Sequence, residues 1–506
     1  MSRRKPVDPG HSRRAIIRAL GLGLPAVAAA CTASNPPEPD TSRPGDPAPD
    51  SGPDSGRDTG STADTGSPDT ADPRTPDPTS PWDGMGAADT DTFPLGVQTG
   101  EPRPDALLAW TWSPKATAIT WHIALWDGAT WVVQPTQDAT AGDDGYVHHD
   151  LLGLPADQPV AVQAEIDGVF SAVAWGRTAP AIDSRPEVFL SATSCLDQNH
   201  GEYPSLDEVQ SLGPIDAMIW LGDTVYADGR SELYQYRALW RSQLGKDSFQ
   251  RLLHNVPGIW TWDDHEVGNN WNPQTIDQGL LDIAVQAFHE TVPLPDTVRS
   301  TRKLWRSLRF GQTVELFVLD CRGERNEGAG HYVSPEQLQW LMDGLAASEC
   351  TWKVVATSVP ITDMPVLWDA LGAQLDRWDG FPTTQRAELL SHIRQLGLQG
   401  VFFVAGDLHQ STVSFVDPEG GDGDNLLEIM AGPGGSFLNP AARVIEGDQF
   451  VYKDADWSCA RMSFHPGGTA TLQVVHEHGG DLMLEMTIDT SGQVVSIEQE
   501  RHPWDE

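Results

Sequence analysis

The sequence predicts a layered α/β unit over residues 185–506, preceded by a small β-sandwich over 90–182. Three observations carry that expectation. From Glu187 onward, short apolar runs alternate with segments of helical period, the signature of a sheet covered by helices. Between 90 and 182, several short β-prone runs follow one another with turn residues between them. Over 31–85, Pro, Asp, Ser, Thr and Gly crowd out almost every apolar side chain, so a packed unit cannot begin there.

Residues 1–30 read as an export signal. Ser12-Arg13-Arg14-Ala15-Ile16-Ile17-Arg18 resembles the twin-arginine pattern, and an apolar run over 19–30 follows it. The run is too short for a transmembrane helix and contains Pro25. It ends in Ala28-Ala29-Ala30-Cys31, small residues before a cysteine, as in a bacterial lipobox. Cleavage there leaves Cys31 as a lipidated N-terminus; an ordinary secretory signal with an incidental cysteine is the other reading. Twin-arginine export carries folded proteins, often with a metal already loaded. Residues 31–85 form an acidic linker whose like charges repel and extend it. The expected location is the bacterial cell envelope, lipid-anchored on the periplasmic side or at the cell surface.

In the sandwich, 106–112, 118–126 and 160–166 are the clearest strands, with Asp127-Gly128 placed for a hairpin turn. In the α/β unit, 188–190, 217–221, 259–262, 314–319, 354–356 and 401–405 are the expected buried strands. Ser334-Pro335-Glu336-Gln337 supplies an N-cap, a proline at the first helical position and a capping-box glutamine. Gly397 closes a 384–396 helix where a left-handed residue fits.

The polar chemistry sits directly after apolar runs. Cys195, Gly222-Asp223-Thr224-Val225-Tyr226, Asp263-Asp264-His265-Glu266 and Gly406-Asp407-Leu408-His409 each follow one. Ligands bind where strands of an α/β sheet end, because the loops there converge on one crevice. Several carboxylates brought together repel one another unless cations neutralise them, which points to metal ions rather than a bare acid/base pair. Any one fragment occurs often by chance; four in order, each at a strand end, do not.

These motifs carry a family resemblance. Thr92-Phe93-Pro94-Leu95-Gly96-Val97-Gln98-Thr99-Gly100, Ser194-Cys195, Leu221-Gly222-Asp223, Trp262-Asp263-Asp264-His265-Glu266 with Asn269-Asn270, and Ala405-Gly406-Asp407-Leu408-His409 resemble PhoD-like alkaline phosphatases. Leu319-Asp320-Cys321-Arg322 and Trp352-Lys353-Val354-Val355 fall in the family's order as well, so the resemblance covers roughly 90–480. Trp112 departs from it, standing where the family usually carries Arg after Trp-Thr. The resemblance implies the calcineurin-like metallophosphoesterase fold, a four-layer sandwich of two mixed β-sheets flanked by helices. It implies a site combining Fe3+ with Ca2+; two divalent ions are the alternative. Carried over by residue, Asp223 bridges the metals. Cys195, Tyr226 and His409 serve the iron, while Asp264 and Asp407 serve a second metal that prefers oxygen. Attack by a metal-bound hydroxide on a phosphate mono- or diester is the implied reaction. His265 is the expected proton donor and Arg322 the expected phosphate ligand, although a structural ion pair with Asp320 or Glu324 explains Arg322 equally well. Asn270 is expected either to orient substrate or to form a turn.

Composition bounds the partners. The 506 residues hold 72 acidic against 33 basic side chains, a net charge of −39. That balance argues against a nucleic-acid partner, since phosphate neutralisation needs basic residues in excess. It would also repel phosphate esters at long range, so any metals must supply the local positive field. A monomer acting on phosphate esters is expected. The rival reading is a non-catalytic lipoprotein that binds envelope polymer and keeps the fold as scaffold. Cys321, Cys350 and Cys459 are expected to pack as apolar residues rather than to form a disulfide scaffold, and the 421–425 Gly-Asp loop to be a polar hairpin rather than a calcium loop.

Overall fold

The computed structural model describes residues 82, 85–365, 375–477 and 482–499. The signal over 1–30, Cys31, the linker through 81 and the last residues 500–506 lie outside them. No helix among the described residues is long and apolar enough to cross a membrane.

The first nine strands are β1 (Val97–Arg103), β2 (Ala106–Trp112), β3 (Ala118–Trp126), β4 (Trp131–Val133), β5 (Gln137–Thr140), β6 (Tyr146–Leu152), β7 (Pro159–Ile166), β8 (Val169–Phe170) and β9 (Ala174–Arg177). β3, β4, β5, β7, β8 and β9 make a small sheet. Its inner face packs Trp121 and Val162 against Val97 and Leu107 of β1 and β2. The expected sandwich is therefore present, but its second sheet is not its own. β1, β2 and β6 continue a ten-stranded sheet that belongs mostly to the α/β unit.

The join is made by backbone. β1 pairs in parallel with β12 (Gly258–Trp260) at Gly100 opposite Gly258. A Cβ on Gly100 would stand 2.7 Å from the Gly258 carbonyl oxygen, so only glycine lets the strands close. One ion pair reinforces the seam. Glu101, buried, is gripped by both arms of Arg306, whose Nε lies 3.0 Å from Oε2. Arg306 also donates to the carbonyls of Trp260 at 3.1 Å and Leu304 at 2.8 Å.

The rest of the ten-stranded sheet is β10 (Val188–Thr193) and β11 (Ala217–Trp220), parallel to each other and to β12. The antiparallel β20 (Ser458–Phe464), β21 (Thr469–His476), β22 (Leu482–Asp489) and β23 (Val494–Gln499) complete it. The second sheet has seven strands: β13 (Arg306–Phe310), β14 (Val314–Val318), β15 (Trp352–Ala356), β16 (Val401–Ala405), β17 (Ser411–Phe415), β18 (Leu427–Met430) and β19 (Phe450–Asp454). The two sheets face one another across Leu190, Ile219, Val318, Val354, Val404 and Ile429.

Four helices cover the outer face of the larger sheet: α1 (Pro204–Ser211), α2 (Leu233–Leu244), α3 (Asp247–Leu253) and α4 (Gln278–Thr291), with Leu206, Trp240 and Phe288 against Trp220 and Trp260. After the short α5 (Asp296–Thr301) come α6 (Pro335–Ala347) and α7 (Gln385–Leu396), which bury Leu341 and Leu389 against Val355 and Phe403 of the smaller sheet. Helix, sheet, sheet, helix is the four-layer order expected.

Most local signals act as read; the exception is Gln337, whose side chain does not reach back to Ser334 but accepts from the Asp320 N–H at 2.9 Å and donates to the Asp320 carbonyl at 3.1 Å, so no capping box forms. The Ser334 hydroxyl accepts from the Gln337 N–H at 3.1 Å, Gly397 ends α7 with φ +62°, and the Asp127 carboxylate accepts from Ala129 and Thr130 in its hairpin. Cys195, Cys321, Cys350 and Cys459 are all buried free thiols. In the Gly-Asp loop, Asp422 is held by Ser391 and Arg394, and Asp424 accepts from the Gly420 N–H, so these carboxylates are spent on the hairpin.

Candidate metal centre

Four strand ends supply the site: β10, β11 and β12 from the larger sheet and β16 from the smaller one. Each chain must turn sharply where it leaves its strand, and the turn is made by the functional residues themselves. Cys195, Asp223, Asp407 and His409 have φ of 56°, 53°, 72° and 54°, and Asn270 of the β12 loop has 52°. Left-handed backbone is disfavoured for residues with a Cβ, and it clusters at functional sites where the surroundings over-determine it. Gly222 lets two of the loops meet, since a Cβ there would lie 2.3 Å from the Asp263 nitrogen.

The expected ligands converge. Cys195, Asp223 and His409 each bring a donor atom within 4.8 Å of the others. Asp223, Asp264 and His265 form a second such group, and Asp223, Asp263, Asp264 and Asp407 a third. Asp223 belongs to all three, the position of a bridge. The Tyr226 hydroxyl lies 3.0 Å from His409 Nε2, which places it on the Cys195 side. His409 Nδ1 stands 2.9 Å from the Phe437 carbonyl and 3.1 Å from the Ser436 hydroxyl. A carbonyl can only accept, so the proton sits on Nδ1 and Nε2 turns a lone pair towards the site. Burial pushes the His409 pKa down to about 3, which keeps the ring neutral.

The surrounding groups explain how the ligands are held. Buried Glu266 accepts from three backbone N–H groups: Asp223 at 3.1 Å, Asp263 at 2.9 Å and Thr224 at 2.7 Å. One carboxylate thus ties the β11 and β12 loops together. His265 directs Nδ1 at Asp228, 2.7 Å away, and lays its ring on Tyr226 with centroids 4.1 Å apart. Burial works against a charged His265, but the Asp264 and Asp223 carboxylates outweigh it and raise its pKa well above the usual imidazole value.

Arg322 is where the structure departs from expectation. It is fully buried, and its guanidinium faces neither Asp320 nor Glu324 nor the solvent. It grips Asp263 with two 2.8 Å bonds and reaches Asp376 at 3.1 Å and Asp407 at 3.3 Å. Charge is the reason: with Asp264 at 3.9 Å, four acidic side chains meet here, and a cation with a planar fork of donors satisfies several at once. Burial alone would raise the Asp263 carboxyl; Arg322 reverses that and holds it at about 2. A phosphate ester would have to displace these carboxylates to reach the guanidinium. Asn270 gives its backbone N–H to Asp264 and, with its amide nitrogen turned inward, its side chain to Asp376 at 3.2 Å. Asn270 thus shapes the turn of the Asp264 loop. Glu266, Asp228 and Asp376 carry no motif of their own, and only the position of Glu266 inside the Asp-Asp-His-Glu run was visible in the sequence.

The donor set fits metal ions. Asp264 Oδ1 is buried without a hydrogen-bond partner and has Arg322 Nη2 no nearer than 3.9 Å, so it has room for a closer cation. Burial raises the Asp223 and Asp407 carboxyls well above their ordinary range, and nearby carboxylates add to it. The Cys195 thiol and Tyr226 phenol are pushed up in the same way, by burial and then by Asp223. Direct ligation to a cation is what reverses shifts of that kind.

Fold and site together define a protein of the metallophosphatase class. Two solved structures share the fold. One, described as the structure of PhoD, has a TM-score of 0.71 at 20% identity, covering 81% of this chain and 94% of that one. The other, a purple acid phosphatase from yellow lupin (Lupinus luteus) seeds, has a TM-score of 0.58 at 14% identity, covering 78% and 75%. The chain belongs to the PhoD-like phosphatase family: residues 189–455 match the PhoD-like phosphatase domain and 80–180 its N-terminal domain. It is similar to alkaline phosphatase D of Bacillus subtilis (strain 168), 26% identical over 387 residues, 64% of this chain. The match spans 65% of the length of that relative.

Proposed function

We propose that the protein is a metal-dependent phosphoric ester hydrolase acting on phosphate mono- or diesters, with Fe3+ held by Cys195, Tyr226 and His409, Ca2+ held by Asp264 and Asp407, and Asp223 between them. One observation carries the reading: thiol, phenol, imidazole and carboxylate donors, buried or half-buried, from four strand ends meet around Asp223. Bound there, the cations would neutralise the carboxylates, draw charge from the phosphoryl oxygens and acidify the attacking water. A hard trivalent ion suits the phenolate, and the all-oxygen side suits calcium.

The chain's own groups supply the rest. His265, oriented by Asp228, offers Nε2 to the leaving oxygen or to a phosphoryl oxygen. Cations on Asp223 and Asp264 would offset the carboxylates that raise its pKa, bringing the proton within reach of transfer. Arg322 acts as a positioning residue that fixes Asp263, Asp376 and Asp407. Ser12 to Cys31 support twin-arginine export and a lipid anchor in the envelope, with the acidic linker as a stalk; a monomer without nucleic-acid partners completes the reading.

The test is direct. Full-length protein supplied with iron and calcium is assayed on p-nitrophenyl phosphate and bis(p-nitrophenyl) phosphate. Nitrophenol release from at least one, abolished in Asp223→Ala, supports the reading; release from neither overturns it. A visible absorption band lost in Tyr226→Phe reports ferric tyrosinate, and its absence in the native protein would replace iron by a divalent ion.

A further inference from the structure

A cavity of about 430 Å3 opens where β6 of the N-terminal unit meets α4 and α5, and it shares no lining residue with the metal centre. Small-molecule sites favour such junctions between units, and the volume is in their usual range. Tyr146 of β6 lines it; its side chain is buried and its hydroxyl has no hydrogen-bond partner. A buried hydroxyl is normally satisfied, so this one calls for a guest or an ordered water.

The other lining groups say what kind of guest. His148 Nε2 lies 2.9 Å from the Val292 carbonyl, so that nitrogen carries the proton and Nδ1 is a lone pair. His289 lines the cavity as well, and as a neutral imidazole it offers one N–H and one lone pair. Burial keeps both rings neutral, helped by Arg299 at His148, about 3, and by Arg302 and Arg299 at His289, about 4. The charges around the cavity cancel. Arg302 meets Asp282 at 2.6 Å, Arg299 meets Asp296 at 3.3 Å, and Glu290 is held by Arg237 at 2.7 Å. An anion brings only acceptors and would face the His148 lone pair with no net positive field. An apolar guest would strand the phenol and both imidazoles. A hydroxyl gives and accepts, and suits Tyr146, His148 and His289 together.

We infer that this cavity is a binding site for a neutral polyhydroxylated ligand, a sugar or polyol, separate from the phosphoesterase centre. Its hydroxyls donate to His148 Nδ1 and accept from Tyr146. The site neither needs nor alters the metal chemistry, so it stands whether or not the hydrolase reading does.

The experiment is a calorimetric titration of the full chain with glucose, N-acetylglucosamine, myo-inositol and glycerol, repeated in excess sulfate. At least one probe is expected to bind saturably, with a dissociation constant on the order of 1 mM. Tyr146→Phe should weaken it about tenfold, the effect of one lost hydrogen bond, without lowering the melting temperature, because it removes an unsatisfied group. Gln286→Trp, at an exposed lining residue, should block the cavity and abolish binding. Nitrophenyl phosphate hydrolysis should be the same in both variants. No saturable binding by any probe, displacement by sulfate, or affinity unchanged in both variants would each overturn the inference.

Discussion

Replacing Glu266 by glutamine tests whether one buried carboxylate holds the two ligand loops in register. Oε2 accepts from Asp223 and Asp263, and Oε1 from Thr224. Glutamine keeps the shape but turns one oxygen into a donor. Set on the Thr224 side, the new amide loses one bond; on the other side it loses two. The first is the better orientation. It removes a bond to a charged acceptor worth about 1.5–3 kcal/mol and leaves a buried N–H facing another. The two surviving bonds fall from charged to neutral strength, about 1 kcal/mol each. Removing the buried charge returns part of this, since burial raises the Glu266 pKa to about 7. The net expectation at alkaline pH, where the carboxyl is ionised, is a loss of about 3 kcal/mol. With a urea slope of about 3 kcal/mol per M, the unfolding midpoint followed by tryptophan fluorescence should fall by about 1 M. Loosened loops should also weaken metal affinity about 10- to 100-fold, as for other groups that orient ligands. If the midpoint and the metal content both match the native protein, Glu266 does not hold the loops and the account of the site is wrong.

Three further outcomes follow from the same geometry. Glu101→Gln should destabilise the protein by about 3–5 kcal/mol in denaturant titration, because it leaves Arg306 buried without its partner; the apolar pair Glu101→Met with Arg306→Met should recover most of it. Burial raises Asp320 to about 6 from 3.8, so its folded form binds more protons than its unfolded form. Its contribution is therefore greatest below pH 3.8 and is lost as pH rises through about 6, on the order of 3 kcal/mol; Asp320→Asn should flatten that part of the stability–pH curve. Stripping metals with a chelator should lower the melting temperature reversibly, since saturation at about 1,000 times the dissociation constant is worth about 4 kcal/mol.

What the sequence could show divides along a physical line. Apolar runs and caps are local, and so 106–112, 118–126 and 401–405 are strands with the ends expected, and Ser334 and Gly397 bound their helices. The candidate ligands were legible because strand ends converge: Asp223, Asp264, Asp407 and His409 each sit two to four residues past a buried run. Pairing between distant charges leaves no such trace. Arg322 has Asp320 and Glu324 beside it in sequence, yet it pairs with Asp263, Asp376 and Asp407, residues 59, 54 and 85 positions away. Which carboxylates an arginine answers is decided by where the sheets bring them, after the chain has folded. The sharing of the larger sheet by β1, β2 and β6 was hidden for the same reason, its strand pairing being a single register position between two glycines.

The strained backbone completes the argument for a built site. A residue pushed into left-handed space stores about 1–3 kcal/mol, and four ligand positions with Asn270 do so together. Nothing local favours this at Cys195, which lacks the short self-bonding side chain that makes Asp and Asn tolerant. The strain persists because the layers behind it are rigid. Ile219, Val318, Val354 and Val404 lock the two sheets face to face, and Glu266 and Arg322 tie the loops that leave them. A scaffold kept only for binding polymer would gain nothing from holding carboxylates, a thiol and an imidazole in that posture. Ligands fixed in advance lose little freedom when a cation arrives, so the rigidity of the sandwich is converted into metal affinity at its edge.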